Sequence, residues 1–235
     1  AGGSLQFNDV QAKLQGTGAF SAVDIIDVQL TTPSLATLQT YDAVVTWTNT
    51  TPQSAAALGD VLADYVDAGG GVVVTVFANS SVTTNRRLEG RWRTGDYEVV
   101  VPATGSTTGR ATLGSILVPG HPIMSGVSTF DGGTSSFRPT GTAVCAACTK
   151  VALWSDSRTL VAVHNTRANR ADLGMYPPSS DASTSWWVSS TDGARLMANA
   201  LLYVIGPTCR VDFNSDGELT FDDIQLFISL YNAGC

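Results

Sequence analysis

Tyr65-Val66-Asp67-Ala68-Gly69-Gly70-Gly71-Val72-Val73-Val74-Thr75-Val76-Phe77 ends an amphipathic stretch, breaks it with three glycines and continues as an apolar run. Upstream, Leu58, Val61, Leu62, Tyr65 and Val66 recur at helical spacing, so a helix is expected from about Pro52 to Ala68, with Pro52 in its first turn and the glycines at its end. Gly71 to Phe77 is too apolar and too β-branched for a strand with one wet face. It reads as a strand buried on both sides, at the centre of a sheet.

Working outward, Phe7 to Leu14 is expected to be helical, Val23 to Val28 a strand, Pro33 to Gln39 a short helix and Asp42 to Trp47 a second strand. Alternating helices and short β-branched runs imply βα units around a parallel sheet. Such a sheet normally opens on a strand, yet Ala1-Gly2-Gly3-Ser4-Leu5 is a poor strand former. The first strand is therefore expected either from residues ahead of Ala1 or from another chain by strand addition.

Beyond Phe77, residues 79–136 turn rich in Gly, Ser and Thr, with strand candidates only at Tyr97 to Val101 and Ile116 to Val118. Strands return at Lys150 to Trp154 and Leu160 to His164. A last helix from about Asp192 to Val204, with Leu196, Ala200, Leu201 and Val204 inward, stops at Gly206-Pro207. The expected division is a main domain at 1–206 and a small module at 207–235.

The formal charge of −7 over 235 residues excludes a sequence-independent grip on nucleic acid, which needs clustered Lys and Arg. A metal cation and a protein partner, or self-association, fit better. No apolar run reaches the roughly 20 residues of a membrane span. The four cysteines form two local pairs, Cys145 with Cys148 and Cys209 with Cys235, the pattern of two disulfides in an oxidising compartment; free thiols are the other reading. An extracellular or cell-surface location is the expectation.

The strongest chemical signal is Asp212-Phe213-Asn214-Ser215-Asp216-Gly217-Glu218-Leu219-Thr220-Phe221-Asp222-Asp223. Oxygen side chains stand at loop positions 1, 3, 5, 9 and 12, from Asp212, Asn214, Asp216, Thr220 and Asp223. Glu218 at position 7 would offer its backbone carbonyl, and Gly217 permits the bend. Calcium demands this alternation, because six to eight hard oxygens must surround it. Phe221, Ile224, Phe227, Ile228 and Tyr231 then mark one exiting helix, while Pro207 and Cys209 leave no room for an entering one.

A loop with a single exiting helix, and with Asp at position 12, resembles one repeat of the cohesin-binding dockerins, which carry two. Here the pair Cys209 and Cys235 would stand in for the second repeat by closing the module, contributing about 3 kcal/mol through the unfolded state. The larger domain resembles the class I glutamine amidotransferase-like superfamily, nearest its ThuA-like branch, on Tyr41-Asp42-Ala43-Val44-Val45, the Tyr65 to Gly71 run, Gly120-His121-Pro122-Ile123 and Asp192-Gly193-Ala194-Arg195. That resemblance implies a flavodoxin-like open parallel sheet with helices on both faces.

It also implies a place to look for catalysis. Active amidotransferases carry a cysteine after the triple-glycine strand; here Phe77-Ala78-Asn79-Ser80 has none, and Ser80 or Ser81 could substitute only if a histidine reached it. No catalytic residue is therefore assigned. His121 and His164 are the two histidines; each reads as a pocket residue or as a ring satisfied by local backbone. Three functional readings result: a secreted, non-catalytic calcium-binding attachment protein, a ThuA-like enzyme acting on a carbohydrate or related small molecule, and a filament subunit completed by strand addition.

Overall fold

The computed structural model describes residues 3–101, 104–206, 218 and 220–232. They divide into two compact units, Ala1–Ile205 and Gly206–Cys235. In the first unit six strands form one sheet in the order β1 (Ala43–Thr46), β2 (Gly71–Thr75), β8 (Arg170–Leu173), β7 (Thr159–His164), β6 (Cys148–Trp154) and β4 (Leu113–Ile116). Two shorter strands, β3 (Ser106–Thr107) and β5 (Arg138–Pro139), pair antiparallel to each other outside it.

Every residue of β2 is buried. Its alternation sends Val72 and Val74 to one face, where Leu58, Leu62 and Val66 of α3 (Ala55–Asp67) pack, and Val73 to the other. That second face holds Val10 and Leu14 of α1 (Ser4–Gln15) and Leu196, Ala200, Leu201 and Val204 of α5 (Gly193–Ile205). The fold is thus α/β and flavodoxin-like, an open sheet with helices on both faces. Gly69, at φ +95°, turns the chain out of α3, and Gly71 lies so close to α5 that an added Cβ would stand 2.8 Å from the Val204 carbonyl oxygen.

The sheet is parallel only through β1, β2 and β8; β7, β6 and β4 run antiparallel. The connections dictate this. Ser155–Arg158 and Asn165–Asn169 are hairpin links, too short for the crossover that a parallel neighbour requires. The short helices α2 (Leu35–Leu38) and α4 (Arg91–Thr94) complete the unit.

Several expected elements differ. The helix expected from Pro52 begins at Ala55, because the Ser54 side chain accepts from the Ala57 amide and sets the cap. Tyr97 to Val101 forms only an isolated bridge, Val100 to Val144, and the strand expected at Ile116 to Val118 ends at Ile116 instead of starting there. The strand expected at Val23 to Val28 does not form: residues 22–27 have no regular secondary structure and belong to no ladder. Their physical reason is an empty neighbour position: a cavity of about 330 Å³ lies between them and β1.

In the second unit, α6 (Phe221–Asn232) is the described element.

Candidate functional site

Three places carry chemistry. The first is the carboxyl end of β1 and β2, where open α/β sheets usually bind ligands. Here it is filled. The Phe77 ring lies 5.0 Å from Phe137 and 5.7 Å from Tyr176, and Tyr176 meets Trp186 at 5.1 Å. The Arg86 guanidinium caps Phe77 at 3.6 Å and donates to Asn49 Oδ1 at 2.7 Å. Ser80 and Ser81 are fully buried; the Ser81 hydroxyl accepts from the Thr83 amide, and the Ser80 hydroxyl makes no hydrogen bond among the described residues. No imidazole stands against either serine, so the geometry for activating one is not assembled.

The two histidines have separate neighbours. His121 caps the short turn Pro122–Met124, its Nδ1 accepting from the Ile123 amide at 3.2 Å, and its ring lies 4.8 Å from Tyr203. Burial pushes its pKa down. His164 ends β7, fully buried, with Nδ1 3.2 Å from Thr166 Oγ1 and Nε2 3.7 Å from Asp96 Oδ2; burial lowers its pKa as well. Cys145 and Cys148 form a disulfide beside it.

The second place is the cavity beside β1. One wall is Val23 to Ile26, the other is Thr40 to Trp47, and Phe7, Val10, Gln11 and Leu14 of α1 roof it. Phe7 meets Trp47, just past the end of β1, edge-on at 6.1 Å, and the Gln11 amide donates to the Val23 carbonyl at 2.6 Å. Helix α1 therefore starts at the carboxyl end of β1 and runs back along the slot. β1 has a ladder on one side only, towards β2. The slot lies along the edge of β1 that carries no ladder among the described residues.

The third place is the carboxylate-rich loop at 212–223, which the sequence spacing reads as a calcium site. Asp212, Asn214, Asp216, Cys209 and Cys235 lie outside the described residues. Glu218 is exposed. At loop position 9, Thr220 donates its amide to the Asp223 carboxylate at 2.8 Å, and its hydroxyl accepts from the Asp222 amide at 3.3 Å. This reciprocal cap starts α6 and holds Asp223, position 12, almost wholly buried at 3% exposure. Thr220 and Asp223 are hard oxygen donors at one end of the loop, which fits a calcium ion and would suit a soft metal poorly. Beyond the cap, Phe221, Ile224, Phe227, Ile228 and Tyr231 are 48–69% exposed.

No family profile matches the chain, and no curated protein does. Solved structures do. A cytoplasmic protein from Salmonella typhimurium is 16% identical with a TM-score of 0.53, over 83% of this chain and 85% of that one. A ThuA-like protein from Bacteroides uniformis is 15% identical with a TM-score of 0.55, again over 83% and 85%. At these identities the likeness is one of fold: the α/β unit shares its fold with these two structures, one of them ThuA-like.

Proposed function

We propose that the protein is a secreted, non-catalytic attachment module, in which the C-terminal unit binds one calcium ion and grips a protein partner through α6. The observation that carries this reading is the apolar face of α6, five large side chains about half to two-thirds exposed on a unit of its own. Exposed apolar area of that kind marks an interaction surface, and an amphipathic helix seated in a groove is a common recognition mode. The buried Asp223 cap and the oxygen spacing from Asp212 support calcium as the ion that sets the angle of α6.

The test is calcium titration calorimetry on the full chain and on Asp216→Ala, followed by gel filtration with and without chelator. One calcium per chain, lost in Asp216→Ala, is expected, together with a calcium-dependent change in assembly that Phe227→Glu abolishes. Absence of calcium binding by the intact chain would overturn the reading.

A second reading, a subunit completed by strand addition, is favoured by the slot beside β1. An extended apolar segment lying parallel to β1 would satisfy its free edge and bury Val23, Ile26, Val44 and Val45. Amide exchange at Ala43–Thr46, with and without a synthetic Val-rich peptide, tests it. Alternate amides of Ala43–Thr46 point to β2 and are protected in any case, so the readout is the amides that point away from it; their protection without the peptide, in a monomeric chain, would rule the vacancy out.

A further inference from the structure

The turn that opens β6 brings together groups that the proposed function does not use. Cys145 and Cys148 are spaced as in zinc knuckles, and the Cys148 amide donates to the Cys145 carbonyl to close the turn. Cys148 pairs directly across the ladder with His164. Both sulfurs and a ring nitrogen of His164 lie within 4.8 Å of one another.

His164 itself points to a ligand. Its side chain is fully buried, and Thr166 engages Nδ1. The other nitrogen, Nε2, is buried and has Asp96 as its neighbour: the carboxylate stands at 3.7 Å, out of bonding range, and the Asp96 backbone offers a weak acceptor to the ring. A buried imidazole held only by Thr166 and by the weak contact with Asp96 can give up such a contact for a metal ion, and the two sulfurs beside the ring are the other ligands it would need. Asp96 is one of two non-glycine residues with positive φ among the described residues, at +62°, a backbone conformation that keeps its carboxylate beside the ring.

We infer that Cys145, Cys148 and His164 form a zinc site that exists only when the Cys145–Cys148 disulfide is reduced, with water or the Asp96 carboxylate as fourth ligand. A dithiol supplies the two electrons. Its thiolate attacks one sulfur of the disulfide, the second thiol resolves the mixed disulfide, and the protein is left with two thiols while the reductant becomes a disulfide. Zinc then displaces two protons as the thiolates bind. A tetrahedral ion about 2.3 Å from sulfur and about 2.0 Å from nitrogen needs its ligand atoms roughly 3.3–3.8 Å apart. The opened turn need move its sulfurs only on that scale.

The experiment uses the full chain carrying Cys209→Ser and Cys235→Ser, in excess calcium, so that neither the tail cysteines nor the carboxylate loop takes up zinc. After reduction with a phosphine and its removal, zinc is added and the bound metal measured by atomic emission. Cobalt then replaces zinc, and the thiolate-to-cobalt charge-transfer band reports the ligand set. One equivalent in the reduced chain and none in the oxidised chain is expected, with loss of both metal and band on adding Cys145→Ser and Cys148→Ser. Cys148 is partly exposed, and circular dichroism checks that the serine variant is folded. Asp96→Asn should weaken binding by about tenfold, as for a group that orients or completes the site. No zinc in the reduced chain, or equal zinc after the serine substitutions, overturns the inference.

Discussion

Replacing Asp172 by Asn should destabilise the α/β unit far more than its small change in shape suggests. Arg170 and Asp172 both lie on β8, inside the sheet, at 0% and 1% exposure. The Arg170 guanidinium donates to the carbonyls of Tyr97, Val72 and Ala171 at 2.8–3.0 Å and to Asp172 Oδ1 at 2.7 Å, and it stacks over Trp92 at 4.3 Å. The carbonyls satisfy its hydrogens, and among the described residues Asp172 is the carboxylate in ion-pair contact with it, Glu98 acting from farther off. Asn keeps a hydrogen-bond acceptor and removes that charge, leaving a cation buried unpaired, a loss of about 3–5 kcal/mol. In a domain of this size, where 1 kcal/mol moves the melting midpoint by about 2–4 °C, the expected drop is roughly 6–20 °C. All five tryptophans precede Gly206, so their fluorescence reads the first unit alone. The double variant Arg170→Met with Asp172→Leu should recover much of the loss, because neither charge then needs burying. A midpoint for Asp172→Asn within 2 °C of the parent would refute the claim that the pair is a closed, dry ion pair.

Two further outcomes follow from buried polar groups elsewhere. Burial pushes the Glu98 carboxyl up to about 7, with Arg93 at 3.2 Å pulling the other way. Its folded pKa lies above the unfolded value near 4.5, so its contribution is fully present below about 4.5 and is lost as pH rises through about 7. Denaturant midpoints for Glu98→Gln should therefore fall less between pH 5 and pH 8 than those of the parent, and parallel curves would disprove the assignment. The Tyr176 hydroxyl is buried, makes no hydrogen bond among the described residues, and has its pKa pushed up by that burial. Tyr176→Phe deletes a polar atom that has lost water without gaining a partner, and should raise stability by about 1 kcal/mol in urea unfolding; a loss of that size would mean the hydroxyl is satisfied.

The parts of this architecture that were legible in the sequence are those in which a periodic pattern and its burial agree. The helix ending at Asp67, the glycine break and the wholly buried β2 follow from spacing and β-branching alone. β8 did not, because Arg170-Ala171-Asp172-Leu173 reads as a solvated segment until the two charges are seen to satisfy each other inside the sheet. The antiparallel half was hidden for a related reason: handedness and direction depend on how short the links at Ser155–Arg158 and Asn165–Asn169 are, and the apolar runs they join look alike in either direction. Of the candidate site residues, His121 was legible as a turn histidine from the proline that follows it. The meeting of His164 with Cys145 and Cys148 was not, since it arises from strand register between residues sixteen or more positions apart.

Register also explains where binding capacity is left in this fold. In an open α/β sheet the carboxyl ends of the parallel strands ordinarily form the crevice, and a ligand there is held by loops that leave the backbone accessible. Here the chain leaving β2 turns its own Phe77 into that position, and Phe137, Tyr176 and Trp186 close around it under the Arg86 guanidinium. Opening it would expose several aromatic rings at roughly 25 cal/mol for each Å² uncovered, a cost that a small ligand recovers only by filling the same space. The slot beside β1 is different, because its walls are already apart and one of them is a strand edge with unpaired backbone. The face of α6 is different again, since binding there requires no opening, only the covering of side chains that water already touches. On energetic grounds, then, a partner that brings its own apolar surface or strand has less to open than a small molecule entering the crevice, which supports the proposed attachment.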